Sequence, residues 1–239
     1  MISSCIRTCR HVLVCCVVPL AACAPSQFTT LSIYETPDAF VRLEIDRNLE
    51  QDIGHSHPVD ISTEQMTALL SGLLFEEPMA KLPFYDDLDQ PRQHSAFTEP
   101  EITLLAPLLA TALKKAGPSE IVMFYHSSPR SSTQRLVTSG GLFVDGSNLH
   151  FLLANYRSPT HFSADIGVAD TTDERLTPLR ALAPQRGRLQ FEPIDAVEEP
   201  ADAGLGTLFQ PKRREIIIRY KRVPPRGPTR IPTPPSPHP

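Results

Sequence analysis

Three strand-like runs follow one another closely: EIVMFYHS (120–127), STQRLVTSGGLFV (132–144) and NLHFLLANYR (148–157). They limit the folds open to this chain more than any other feature. Pro129-Arg130 separates the first pair and Asp145-Gly146-Ser147-Asn148 the second, both turn-forming groups. Links this short make hairpins, so the region predicts neighbouring antiparallel strands. Gly140-Gly141 within the middle run predicts a bulge or bend. Upstream, LSIYE (31–35) and FVRLEID (40–46) alternate apolar and polar residues around Thr36-Pro37-Asp38-Ala39 and read as another hairpin. RLQFEPI (188–194) and REIIIRYKRV (214–223) supply further strands.

The best-marked helix lies in FTEPEITLLAPLLATALKKAGP (97–118). Thr98 and Glu101 have capping-box spacing, and Phe97 and Ile102 flank them as a hydrophobic staple. Pro100 falls in the first turn, where a missing N–H costs nothing. Leu105, Leu108, Leu109 and Leu113 share a face, Lys114 and Lys115 suit the negative end of the dipole, and Gly117-Pro118 ends the helix. Pro107 is expected to kink or split it. Ser62 and Gln65 cap a second helix over about 63–73, with Met66, Leu69, Leu70 and Leu73 as its apolar stripe, and 173–183 is weakly helical. The expectation is an α+β domain over 30–222, a mostly antiparallel sheet with two or three helices packed on it. Residues 223–239 hold eight prolines and are expected to be a disordered or polyproline tail.

The amino terminus has a different character. Arg7 and Arg10 precede the uncharged run VLVCCVVPL (12–20), and small residues follow, in the order of a secretory signal. Through Ala24 the apolar run covers 13 residues, short of the roughly 20 a spanning helix needs. Leu20-Ala21-Ala22-Cys23 resembles the lipobox of bacterial lipoproteins. That resemblance covers residues 1–23 alone. It implies a signal peptide over 1–22, cleavage before Cys23, lipid on its thiol, and a tether over 23–29. With Ala24 rather than Asp next, it also implies an outer-membrane, periplasm-facing address. All five cysteines (Cys5, Cys9, Cys15, Cys16 and Cys23) lie in this stretch, so the remaining chain forms no disulfide. Two or more acyl chains anchor stably where one does not.

Charge divides the chain as well. Residues 23–209 carry 13 Lys/Arg against 26 Asp/Glu, whereas 210–239 carry eight basic residues against Glu215. Lys212, Arg213, Arg214, Arg219, Lys221 and Arg222 are therefore candidate contacts for an envelope protein, peptidoglycan or lipopolysaccharide. A formal net charge of −4 gives no basic footprint for nucleic acid.

Chemical signatures are sparse. His55 and His57 have strand spacing and, with Asp52 and Asp60, form a weak candidate metal set. A solvated loop accounts for them more simply, since no HExxH motif or cysteine cluster accompanies them. Asp86, Asp87 and Asp89 lack the glycine and closing glutamate of a calcium loop. His126, Ser127 and Ser128 suggest a base and nucleophile, but no GxSxG or SxxK pattern accompanies them, and adjacent strand residues face opposite ways. These residues favour a non-catalytic, lipid-anchored envelope lipoprotein that binds or scaffolds a membrane-associated partner, with no catalytic residue and no cofactor. The alternative is a periplasmic metal-binding protein or hydrolase using His55, His57 and nearby carboxylates.

Overall fold

The computed structural model describes residues 30–49, 54–77, 92–132, 134–161, 174–183, 187–198 and 215–226. Cys23 with the whole signal-type segment, Asp52, the Asp86–Asp89 group, and Lys212, Arg213 and Arg214 lie outside them.

The described residues form the expected α+β fold, two helices on an antiparallel sheet. The strands are β1 (Thr30–Glu35), β2 (Ala39–Ile45), β3 (Leu73–Glu76), β4 (Gln93–Ser95), β5 (Glu120–Pro129), β6 (Gln134–Asp145), β7 (Asn148–His161), β8 (Arg188–Phe191), β9 (Val197–Glu198) and β10 (Glu215–Arg219). Helices α1 (Thr63–Gly72) and α2 (Glu99–Lys115) interrupt them. The main sheet runs β1-β2-β5-β6-β7-β10-β9, and a small sheet runs β4-β3-β8. β3 and β4 were not legible as strands: LLFE and QHS are too short to show a period.

Alternation along β5 sorts its side chains between two cores. Val122 and Phe124 point toward the helices and join Met66, Leu69, Leu105, Leu109 and Leu113 in the larger core. Phe97, Phe124 and Phe151 meet there with centroids 5.6–6.0 Å apart. Ile121, Met123 and Tyr125 face the other way, with Phe40 and Val137. Helix α2 runs through Pro107 without splitting, contrary to expectation. Pro107 lies on the exposed side, where water can serve the carbonyl that loses its partner, and Thr111 Oγ1 donates to the Pro107 carbonyl.

Segment 174–183 is not the expected helix but a single 3₁₀ turn at Glu174–Leu176 and a strap over the second face. The Arg180 N–H donates within the strap, to the Thr177 carbonyl (2.9 Å), and other polar groups bond the sheet. Ser139 Oγ donates to the Pro178 carbonyl (2.7 Å), Asn155 Nδ2 to the Arg180 carbonyl (2.8 Å), and the Leu182 N–H to Asn155 Oδ1 (2.8 Å). At the other end Val223 is buried, and the Arg226 N–H donates to the Glu64 carbonyl. The packed body therefore extends to residue 226.

The irregularity expected at Gly140-Gly141 in the middle strand β6 falls instead on its partner β7, which carries two extra residues. Thr138 alone opposes Tyr156-Arg157, because Val137 pairs with Ser158 and Ser139 with Asn155. A second extra residue falls between Asn155 and Leu153, which pair with Ser139 and Gly140.

Among the described residues no helix is long and apolar enough to cross a membrane. The membrane-lipoprotein description drawn from the first 23 residues is corrected on that point for the folded body, which is a mixed α+β domain.

Candidate functional site

The segment holding His55 and His57 is not a solvated loop. Its backbone is stitched to α2, the loop after it and β6: His55 N–H donates to the Pro118 carbonyl (2.7 Å), Val59 N–H to that of Leu113 (3.1 Å), and Ser56 N–H to that of Val144 (2.7 Å). Both imidazoles are buried. His55 Nε2 lies 3.1 Å from Asp46 Oδ2, with its ring over Phe143. His57 Nε2 accepts the Val144 N–H at 3.1 Å, which places the ring proton on Nδ1. The two rings are 5.5 Å apart but serve different partners, and Asp60 pairs instead with Lys114 on the surface. No group of three His, Cys, Asp or Glu suited to a metal occurs among the described residues. Burial, then the neighbouring His55, hold the His57 imidazole below its ordinary value of 6.5. A ring that folds neutral costs stability as pH falls below 6.5, since the unfolded chain then binds the extra proton.

A second pair lies on the sheet face away from the helices. His150 on β7 holds Glu215 of β10 through Nδ1 at 2.9 Å, and its ring stacks on Phe143 at 4.5 Å. His55, Phe143 and His150 thus form a row with a carboxylate at each end. The row lies on a half-buried sheet face.

The third pair is joined to a cleft through Thr98, while Glu101 and His126 themselves lie outside its lining. Glu101 sits in the first turn of α2 with 8% of its surface exposed. Its Oε1 is 3.1 Å from Nδ1 of His126, which projects from β5. Its Oε2 accepts from the Thr98 N–H (2.7 Å) and from Thr98 Oγ1 (2.8 Å). Burial pushes the Glu101 carboxyl up, but the bonds from His126 and Thr98 outweigh it and leave the group below its ordinary range. Glu101 is therefore ionised near neutral pH. No described residue bonds His126 Nε2, and the side chain is 21% exposed.

An open cleft of about 560 Å³ lies at the same end of α2, lined by His94, Ser95, Thr98, Tyr156, Arg157 and Arg226 among others. Thr98 belongs to both cleft and pair. Thr138, the register partner of His126, accepts the Arg157 N–H at 3.4 Å. Burial pushes the Tyr156 phenol up, against the opposing charge of Arg157, so it stays protonated. Its hydroxyl donates to the Ser95 carbonyl at 3.4 Å.

These pairs correct the expectation of a non-catalytic scaffold. A buried, ionised carboxylate fixing one nitrogen of a histidine while the other stays open is an arrangement for moving protons. Three residues of the basic end contact their own chain. Arg219 donates to the carbonyls of Asp195 (3.1 Å) and Val197 (3.0 Å), and Arg222 to that of Asp195 (3.4 Å). Lys221 lies over the Tyr220 ring. Ser127, on the opposite side of β5 from His126, receives Arg135 Nε at 3.0 Å and is no nucleophile for this base. Sequence reading reached His126 and Glu101 separately, one as part of a turn and the other as a cap. It missed Tyr156 and Arg157, which a bulge turns toward the cleft. No protein-family model, curated protein or solved structure matches the chain.

Proposed function

We propose that this protein is a hydrolase in which His126, oriented by Glu101, acts as general base on a water at the cleft. The observation that carries this reading is the Glu101 carboxylate, buried and lowered, with Oε1 on His126 Nδ1 and both Thr98 donors on Oε2. His126 Nε2 takes a proton from water as its oxygen bonds the acyl or phosphoryl centre of an ester. The bond to the leaving oxygen then breaks, and the imidazolium returns the proton to it, giving an acid and an alcohol. Glu101 stabilises the transient imidazolium, a positioning role.

The test is hydrolysis of p-nitrophenyl carboxylate and phosphate esters by the full chain. His126→Gln is expected to lower kcat/KM by about 10²–10⁴-fold, the usual contribution of a general base, with the melting midpoint little changed. Equal turnover by wild type and His126→Gln, or none above the uncatalysed rate by wild type, would refute the reading.

We propose separately that the segment ending at Cys23 directs export and lipid attachment, on the signal order and lipobox-like Leu20-Ala21-Ala22-Cys23 described above. Cys23→Ala is expected to abolish metabolic labelling with a fatty-acid precursor; undiminished labelling of that variant would end the proposal.

A further inference from the structure

Arg157 has φ +44°, and no other described residue except glycine has positive φ. An L-residue there carries backbone strain that its surroundings must sustain. The surroundings are the bulge: Tyr156 and Arg157 together oppose Thr138, which re-aims the strand at the rim of the cleft. Arg226 reaches the same rim from the end of the body, held by its N–H to the Glu64 carbonyl. Both arginines are exposed. Among the described residues neither forms an ion pair with a carboxylate, in contrast to Arg42 with Glu44, Arg135 with Asp38, and Arg175 with Glu35. His94 adds a further nitrogen to the lining, and Glu99 its one carboxylate.

We infer that the cleft takes an oxyanion, a phosphate or carboxylate borne by the substrate, with Arg157 and Arg226 as its anchors. Two guanidinium groups from separate segments, open on one cavity, suit the paired donors that such groups recognise. The acidic balance of the rest of the body makes this local surplus a site and not a general attraction. The inference rests on the cleft being the substrate site of the hydrolase, and it specifies what the substrate carries there.

The experiment titrates the full chain with inorganic phosphate and, separately, succinate at constant ionic strength, following the melting midpoint and inhibition of ester hydrolysis. One probe is expected to raise the midpoint saturably and inhibit competitively. Arg157→Gln and Arg226→Gln are each expected to weaken that binding about ten- to a hundredfold, the worth of a hydrogen bond to a charged group. Lys115→Gln, at the far end of α2, is expected to leave it unchanged. Tighter binding of phosphate assigns a phosphoryl group to the substrate, and tighter binding of succinate a carboxylate. No saturable binding of either probe, undiminished binding in both arginine variants, or equal loss in Lys115→Gln overturns the inference. His126→Gln separates the two proposals. If it still binds the probe but no longer turns over, both stand; if it binds and hydrolyses as wild type does, the general base falls and the anion site remains.

Discussion

Glu101→Ala is expected to cost the fold on the order of 2–4 kcal/mol and to remove most of the hydrolysis. The stability loss has two sources. The capping interactions with Thr98 at the start of α2 disappear, typically about 1 kcal/mol, and the half-buried His126 Nδ1 donor loses its acceptor at about 1–3 kcal/mol. Glu101→Gln separates positioning from folding. The amide oxygen can still accept from Thr98, but a neutral group no longer stabilises the imidazolium formed when His126 takes the proton. The variant's kcat is expected to fall with KM little changed. A role in folding alone would lower the melting midpoint and leave kcat, measured well below that midpoint, in place. The native pH dependence follows from the same carboxylate. Because Glu101 folds with its carboxyl below the ordinary 4.5, its stabilisation is complete above that pH and is lost as pH falls through the lowered value. Urea titrations from pH 6 down to pH 3 should show wild type losing stability that Glu101→Gln does not lose.

Gly140→Ala is expected to destabilise the domain by about 3 kcal/mol or more. A Cβ built there falls 2.0 Å from the Leu152 carbonyl oxygen and 2.9 Å from Cζ of Phe124. The first is backbone of the paired strand β7 and the second belongs to the fully buried aromatic trio, so neither yields without disturbing the core. β6 and β7 would have to separate next to the two bulges, and those bulges position Tyr156 and Arg157. Gly146→Ala is the comparison. Its Cβ meets nothing within 4 Å, but φ is +57°, so its cost is conformational, about 1–2 kcal/mol. Chemical denaturation of both variants measures the contrast. Equal losses would mean that contact at Gly140 has been relieved by a shift of the strands.

The pairing of His126 with Glu101 was closer to legible than the sequence reading made it. From Lys115 back to Glu101 is 14 residues of helix, about 21 Å. From Glu120 forward to His126 is six residues of strand, about 20 Å. With only Ala116–Ser119 between helix and strand, the chain doubles back and the two side chains arrive at one height. Alternation then places His126 with Val122 and Phe124, on the face that α2 covers. Reading Glu101 only as a cap hid this second role. His55 and His57 failed in the opposite sense: their spacing suggested a shared ligand, but Asp46 claimed one ring and the Val144 N–H, distant in sequence, claimed the other.

By itself the sequence determined what depends on neighbours along the chain: the strand alternation, the capped helix between Thr98 and Gly117, the short turns that force antiparallel pairing, and the cysteines confined to residues 5–23. The tertiary structure alone decided which carboxylate each histidine met, that 174–183 straps a sheet face, and that two residues of β7 oppose Thr138 and turn Arg157 toward the cleft. Local periodicity reports which side of an element a residue occupies. The partner waiting there is set by the register between strands, and a single extra residue in β7 changes it.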